Sequence, residues 1–368
     1  TIRRRRGAGF HWNFKGRGRN PAQRFRPLIW MQWAAGRPAA VAKRGELRSA
    51  QWASQWGGGM EEQIYLLFDI GGTSVKYAAG DGAGQLWDPG SFKTPESGME
   101  ELLARMAEVY RRFEGRRNIC GAAVSCPGAV DGTSGVIHGS SAVPYIHEIP
   151  FRDMVSRALG GLSVLIENDA RCFAMGEMWL GEAAGAGHFS TIAIGSGIGG
   201  AMVHDRQVLY GANLCCGEVS NFPLGGQRPD GTREVWSDYT PVNLAKRYSC
   251  QFDVEINGKQ LFELAEQGDE TAAIYLDQFY YYTALGCVLI QFSFDPEIIV
   301  LGGGVSERED LARRIEEKVD DILCPGQNFS FLKPKLVRSR NNNRSNLRGA
   351  LFALLQRVEE ETNEGISV

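Results

Sequence analysis

The sequence predicts an α/β fold of two lobes built on a nucleotide-binding core. The first of three observations behind this is that three apolar strands each run into a glycine turn. Residues 66–70 enter Gly71-Gly72-Thr73, residues 191–194 enter Gly195-Ser196-Gly197, and residues 298–301 enter Gly302-Gly303-Gly304. The second is the alternation of strand-like runs with stretches of helical spacing. The third is length, since 368 residues can bury two substantial cores. A strand entering a small turn lets backbone N–H groups approach phosphate oxygens with no side chain in the way. A Gly-Gly hairpin in an ordinary sheet would account for one such junction. Three in this order point to a duplicated core. Its first two turns would clasp the phosphates from opposite sides, and the third would lie against the adenosine.

Each element follows from its pattern. Residues 64–69, 75–80 and 85–92 read as a meander with turns at Gly71-Gly72 and Asp81-Gly82. Asp69, at the end of the first strand, would stand where a Mg²⁺ ion or a phosphate-bound water must be held. Thr73 adds a hydroxyl and Lys76 a cation. This is not the G-x-x-x-x-G-K-[ST] loop, which opens a helix. Residues 98–113 put Met99, Leu102, Leu103, Met106, Val109 and Tyr110 on one helical face. Residues 118–125 form a buried strand that ends in the breaker-rich turn Cys126-Pro127-Gly128. Residues 163–167 form another, with Asn168-Asp169 at its C-terminal end and a helical stretch over 170–181. Ligands of open α/β sheets bind at such strand ends. A carboxylate there can accept the proton of a substrate hydroxyl as it attacks a γ-phosphate, and the neighbouring amide can bind a second hydroxyl. Asp169 equally suits the N-cap of the helix after it, and both roles can hold. Further on come a loop with Gly217-Glu218-Val-Ser-Asn221, a helix over 270–294, the third glycine junction ahead of a helix, and the polar loop Asn341-Asn342-Asn343. A terminal helix over 347–361 would pack back on the first lobe.

The formal charge of -3 hides a split. Residues 1–59 carry 13 Lys+Arg against the single acid Glu46, whereas the rest of the chain has a net charge of -15. Five of the eight tryptophans also lie in that first stretch, which has no period of 2 or 3.6. It reads in three ways: a basic arm for nucleic acid, an Arg-rich targeting peptide, or a disordered upstream extension foreign to the functional protein. The last is favoured by Gly57-Gly58-Gly59 directly before Met60, because glycine codons make purine-rich RNA like a bacterial ribosome-binding site. Met60 is then the expected start. The acidic body argues against a nucleic-acid partner. No apolar run reaches the ~18 residues of a membrane span. The eight cysteines are scattered without metal-ligand spacing and read as reduced thiols. The expected location is cytoplasmic.

Taken together, Phe68-Asp-Ile-Gly-Gly-Thr-Ser-Val-Lys76, Val124-Ser-Cys-Pro-Gly-Ala-Val130, Glu167-Asn-Asp-Ala170, Ile194-Gly-Ser-Gly-Ile-Gly-Gly200, Gly217-Glu218 and Leu301-Gly-Gly-Gly-Val-Ser306 resemble the ROK family (repressors, open reading frames and sugar kinases). The resemblance runs from Met60 to about Glu361. It implies a two-lobed actin-like ATPase (ribonuclease H-like) fold with the active-site cleft between lobes. The small lobe would span 60–180, completed by the terminal helix over 346–362, and the large lobe 181–345. It also implies ATP-dependent phosphorylation of a hexose or hexose derivative at the 6-hydroxyl, with Asp169 as general base and Gly128, Asn168 and Glu218 on the sugar. Asp69, Gly71, Gly72, Thr73, Lys76, Gly195, Ser196, Gly197, Gly302, Gly303 and Gly304 would serve ATP and Mg²⁺. Phosphoryl transfer needs chiefly positioning and charge neutralisation, which such a set supplies. A homodimer is expected, as is common among proteins that look like this.

The departures from the family pattern lie on the sugar side. Many members carry Gly-Glu-x-Gly-His and then a Cys-x-Cys-Gly-x-x-Gly-Cys zinc cluster. Here the histidine is replaced by Asn221, and residues 222–236 hold neither Cys nor His. No structural zinc is expected. The family's second sugar glutamate aligns near Ser237, with Glu234 and Asp238 as candidate substitutes. The loop Ser140-Ser-Ala-Val-Pro-Tyr-Ile-His147 lacks the family's asparagine, so His138 and His147 become candidates to touch hydroxyls, His147 and Asn221 being assigned to the substrate. His188 and His204 read as structural or exposed, and Tyr280-Tyr281-Tyr282 as helix packing. The pattern fits the zinc-lacking branch, which includes β-glucoside kinases. A sugar-responsive repressor and a catalytically silent sugar-binding protein are the alternatives.

Overall fold

A computed structural model describes residues 63–115, 118–228, 230–323, 330–341 and 344–363. The expected upstream extension 1–59, the start at Met60, Cys324, Asn342 and Asn343 lie outside these residues.

The first half builds β1 (Gln63–Ile70), β2 (Ser74–Gly80), β3 (Leu86–Lys93), α1 (Met99–Phe113), β4 (Asn118–Cys126), β5 (Ala129–Asp131), β6 (Val136–His138), α2 (Phe151–Ala158), β7 (Val164–Asn168) and α3 (Asp169–Leu180). The second half builds β8 (Phe189–Ile194), β9 (Ile198–His204), β10 (Gln207–Val208), α4 (Pro241–Phe252), α5 (Gly258–Glu266), α6 (Glu270–Phe294), β11 (Ile298–Gly302), α7 (Leu311–Ile322), β12 (Leu336–Arg338) and α8 (Arg344–Asn363). Among the described residues ten strands form two five-stranded sheets, ordered β3-β2-β1-β4-β7 and β10-β9-β8-β11-β12, and β5 and β6 pair as a separate hairpin. Each five-stranded sheet has an antiparallel meander on one side and parallel strands on the other. The same order twice is the duplication that the repeated glycine junctions foreshadow. Two such sheets, each flanked by helices, make the two-lobed α/β architecture that the sequence predicts.

Strand β1 is apolar on both faces because both are covered. Ile64, Leu66 and Phe68 pack with Leu102, Met106 and Val109 of α1 and Phe151 and Val155 of α2. Tyr65 and Leu67 point the other way, against Leu347, Ala350, Leu351, Leu354 and Leu355 of α8. Side chains alternate at period 2, so one run of residues serves two cores. The second sheet is sandwiched likewise. Ile192, Ile299 and Leu301 meet α4 to α7, while Phe189, Val203 and Val300 meet Phe173, Met175 and Met178 of α3.

Helices α3 and α8 cross between the two sheets at glycine contacts. A Cβ on Gly349 would lie 1.6 Å from the Cys172 carbonyl oxygen, and one on Gly176 would lie 2.1 Å from that of Ser345. Beside the crossing, the fully buried Glu177 accepts 2.6 Å hydrogen bonds from Ser339 Oγ and Ser345 Oγ. The third glycine junction leads to a helix as expected, through one short turn. Its strand enters a 3-10 turn at Gly304–Glu307 and only then the helix α7.

Candidate active site

The two sheets aim their strand ends at one cleft. Asp69 sits at the end of β1, opposite Lys76 in the β1–β2 register. Its Oδ1 accepts from Ser125 Oγ at 2.6 Å and from Asn346 Nδ2 at 3.1 Å. Both bonds go to one oxygen. Burial raises the Asp69 pKa, opposed by Ser125, Lys76 and Asn346. Asp69 and Lys76 line a cavity of about 140 Å³ with Gly303, Gly304, Glu307 and Asn346. A carboxylate beside a cation and bare glycine backbone fits a hydrated divalent ion carried on phosphates.

The glycine turns are wedged against each other. Gly303 has φ 82, and a Cβ there would lie 2.2 Å from the Ile194 carbonyl oxygen, directly before Gly195. Thus the second and third turns meet. Gly302 belongs to β11, and its bare Cα makes room for the Phe173 ring; Gly304 faces open space. The first turn is closed by Gly71 N–H donating to Ser74 O at 3.1 Å and by Thr94 Oγ1 donating to Gly71 O at 2.5 Å. Gly72 abuts Ala142 of the 140–147 loop, and Thr73 is exposed. Ser196 O is held by Asn243 Nδ2 at 3.0 Å. Ile198 N–H, just past Gly197, donates to Ser220 Oγ at 3.3 Å. That contact ties the second turn to the loop carrying Glu218.

On the acceptor side the strand–helix junction corrects one sequence reading. The N-cap is Asn168, whose Oδ1 accepts from Arg171 N–H at 3.0 Å. Asp169 is instead the first helical residue. The cap lies one position earlier because β7 keeps extended backbone through Asn168. Asn168 Nδ2 donates to Gly128 O at 3.1 Å and to Asp169 Oδ1 at 3.2 Å. Ala170 N–H donates to the same Asp169 oxygen at 2.8 Å. Both bonds therefore go to Oδ1. Burial, then the charges of Asp69 and Glu218, raise the Asp169 pKa to about 7. A carboxylate so tuned can take a hydroxyl proton near neutral pH.

Gly128, at φ 109, packs against the His147 ring. His147 is buried, with Nε2 2.7 Å from Ser141 Oγ, and its Nδ1 has no hydrogen-bond partner among the described residues. Glu218 is exposed as a residue, yet its carboxyl lies among protein atoms, and that burial raises its pKa against the pull of Arg171. Asn221 is exposed at the end of a 3-10 turn. Glu234 and Asp238 are engaged elsewhere. Glu234 pairs with Arg247 at 3.1 Å and accepts from Tyr239 Oη at 2.5 Å, and Asp238 pairs with Arg228. These bonds brace the loop over residues 225–239.

Sequence reasoning missed Ser125, Asn346, Glu307 and the pair Glu167–Arg171. Asn346 lies far from every motif, and Ser125 and Glu307, though inside or next to quoted motifs, carry no pattern that points to Asp69 or the cleft. For the pair the signal was there: Arg171 is the one basic residue of a buried helix. Away from the cleft, His188, His204 and Asp205 cluster. His188 Nδ1 accepts from Asp205 N–H at 3.2 Å.

Comparison with known proteins matches the ROK family model to residues 65–357. A glucokinase of Thermotoga maritima is 28% identical over 277 residues, covering 70% of this chain and 87% of the relative. A beta-glucoside kinase of Listeria monocytogenes is 26% identical over 304 residues, covering 81% and 98%. Among solved structures, a ROK family protein from Streptococcus pneumoniae in complex with sucrose superposes with a TM-score of 0.70 at 28% identity, covering 81% of this chain and 99% of that one.

Proposed function

The chain belongs to the ROK family, and from that premise we propose that it is a sugar kinase that transfers the γ-phosphoryl group of ATP to the 6-hydroxyl of a hexose or hexose derivative. The observation that carries the reading is Asp169, a carboxyl at a strand–helix junction raised to about 7, with Oδ1 held by Asn168 Nδ2 and Ala170 N–H. Asp169 would accept the hydroxyl proton as the sugar oxygen attacks. Asn168, Gly128, Glu218, His147 and Asn221 would form the acceptor pocket. Gly71, Gly72 and Thr73, with Gly195, Ser196 and Gly197, would offer backbone and hydroxyl donors to the phosphates. Lys76 would add positive charge, and Gly303 and Gly304 would pass under the nucleotide. A divalent cation, Mg²⁺, would neutralise phosphate charge, held through water by Asp69. Closing the small lobe, 60–180 with 346–362, on the large lobe, 181–345, would keep water from competing as acceptor.

The zinc-free loop is read the same way, with the Glu234 and Asp238 ion pairs doing the bracing. A cytoplasmic homodimer completes the proposal. Exposed Ile274, Tyr281 and Leu289 share one face of α6, and two copies need only one self-complementary face.

A coupled assay of ATP turnover against a hexose panel tests the reading. One sugar or sugar class should support turnover, and Asp169→Asn should lower kcat about 10²- to 10⁴-fold while sugar still binds. Turnover of the variant within tenfold of the parent would remove Asp169 as the base. A folded chain inactive on every sugar would sink the kinase reading.

A further inference from the structure

We propose that Arg171 is a positioning residue that ties the loop between Leu209 and Glu218 to the start of α3, so that Glu218 stands at the proper distance from Asp169. The inference deepens the kinase reading and rests on it for the roles of those two carboxylates. Arg171 is 2% exposed and is the one basic side chain of a helix buried over most of its length. Its guanidinium is engaged on every side. Nη1 lies 3.2 Å from Glu167 Oε1, Nη2 donates to Leu214 O at 2.5 Å, and the guanidinium carbon stands 4.5 Å over the Tyr210 ring. Tyr210 Oη in turn donates to Glu167 Oε2 at 2.7 Å, which closes the ring of contacts. The Arg171 backbone N–H fixes Asn168 Oδ1, so the same residue sets the side chain beside Asp169.

Backbone bonds close the loop on itself, Cys216 N–H to Tyr210 O at 3.1 Å and Glu218 N–H to Cys215 O at 3.2 Å, so its tie to α3 has to come from a side chain. The loop turns through left-handed positions at Gly211, Leu214 and Gly217 and forms no helix or strand between β10 and the 3-10 turn at Val219–Asn221. Its far end is pinned sterically, since a Cβ on Gly217 would lie 2.7 Å from Gly200 O. Between Tyr210 and Gly217 the Arg171–Leu214 bond is the anchor from α3. Arginine suits this post and lysine does not. Its planar fork serves Glu167 and a carbonyl at once while one face stacks on an aromatic ring.

Two readouts test the proposal in the full chain. The first is steady-state kinetics of Arg171→Met and Arg171→Lys. Misplacing Glu218 should raise the sugar KM about tenfold or more in both variants, with the ATP KM within twofold of the parent. The second is amide hydrogen exchange. Protection of the 209–218 segment should fall in both variants, while that of β8 and β9 holds. Because Glu167 would be left buried without its partner, Tyr210→Phe serves if the arginine variants do not fold. It should show the same pattern at smaller size. Loss of thermal stability with sugar KM and loop exchange unchanged would overturn the proposal and leave Arg171 a packing residue. If the parent phosphorylates no sugar yet loop exchange rises in the variants, the kinase reading fails and the tie stands. If the loop stays protected, the tie fails whatever the activity.

Discussion

At Asp169, burial beside Asp69 and Glu218 makes the protonated carboxyl the favoured form of the folded chain. The sign of the consequence follows. Between the ordinary value of 3.8 and about 7 the folded protein keeps a proton that the unfolded chain gives up, so stability falls as pH rises through that window. Asp169→Asn should therefore raise Tm at pH 8 and leave it unchanged near pH 4. The gain has a ceiling of roughly 4 kcal/mol, since a tenfold change in proton affinity is worth about 1.4 kcal/mol. Thermal melts across pH check this, and equal melting of both proteins at pH 8 would contradict it. For activity the same group gives a rising acid limb, with kcat/KM climbing to a plateau above pH 7. In Glu218→Gln that limb should move to lower pH, because one like charge beside Asp169 is gone. Asp69 and Asp169 were legible in the sequence because each ends an apolar strand at a glycine turn or helix start. Ser125 and Asn346 were not. A serine and an amide have no pattern of their own, and only folding brings Asn346 across 277 positions to Asp69.

Among elements, most strands and helices could be read because their periods are unmixed. The helix over 270–294 and the meander from residue 64 occur where the spacing predicts them. The Asn168 cap and the 3-10 turn after the triple glycine were not readable, because Asn and Asp cap equally well and a one-residue shift changes no period. The glycines also differ in duty, which the sequence hides. Gly349→Ala would drive a methyl into the Cys172 carbonyl and force α3 and α8 apart, a loss of about 3 kcal/mol or more. Gly304→Ala meets open space and should change stability by less than about 0.5 kcal/mol while raising the ATP KM. Denaturant melts with ATP kinetics check both. A stable Gly349→Ala protein would mean that the helices separate freely.

For the whole molecule, the duplicated sheet order was foreshadowed by three glycine junctions, whereas the crossing of α3 on α8 was not, since contact between distant helices leaves no local trace. The ion pairs of the 225–239 loop carry a prediction at this scale. A zinc-selective chelator should leave Tm and turnover unchanged, and a fall in Tm on chelation would reveal a structural metal. Light scattering should give a dimer that Leu289→Asp converts to monomer; a monomeric parent would reject that face. The helix that covers Tyr65 and Leu67 has a further consequence, in the order of synthesis. A ribosome adds about 5–20 residues per second. The apolar face of β1 therefore waits roughly 15–60 s, at that rate, for its cover, α8, to be made. The first lobe begins the chain's folding and is the last to finish it, so chaperone demand and aggregation of incomplete chains should both trace to that one uncovered face.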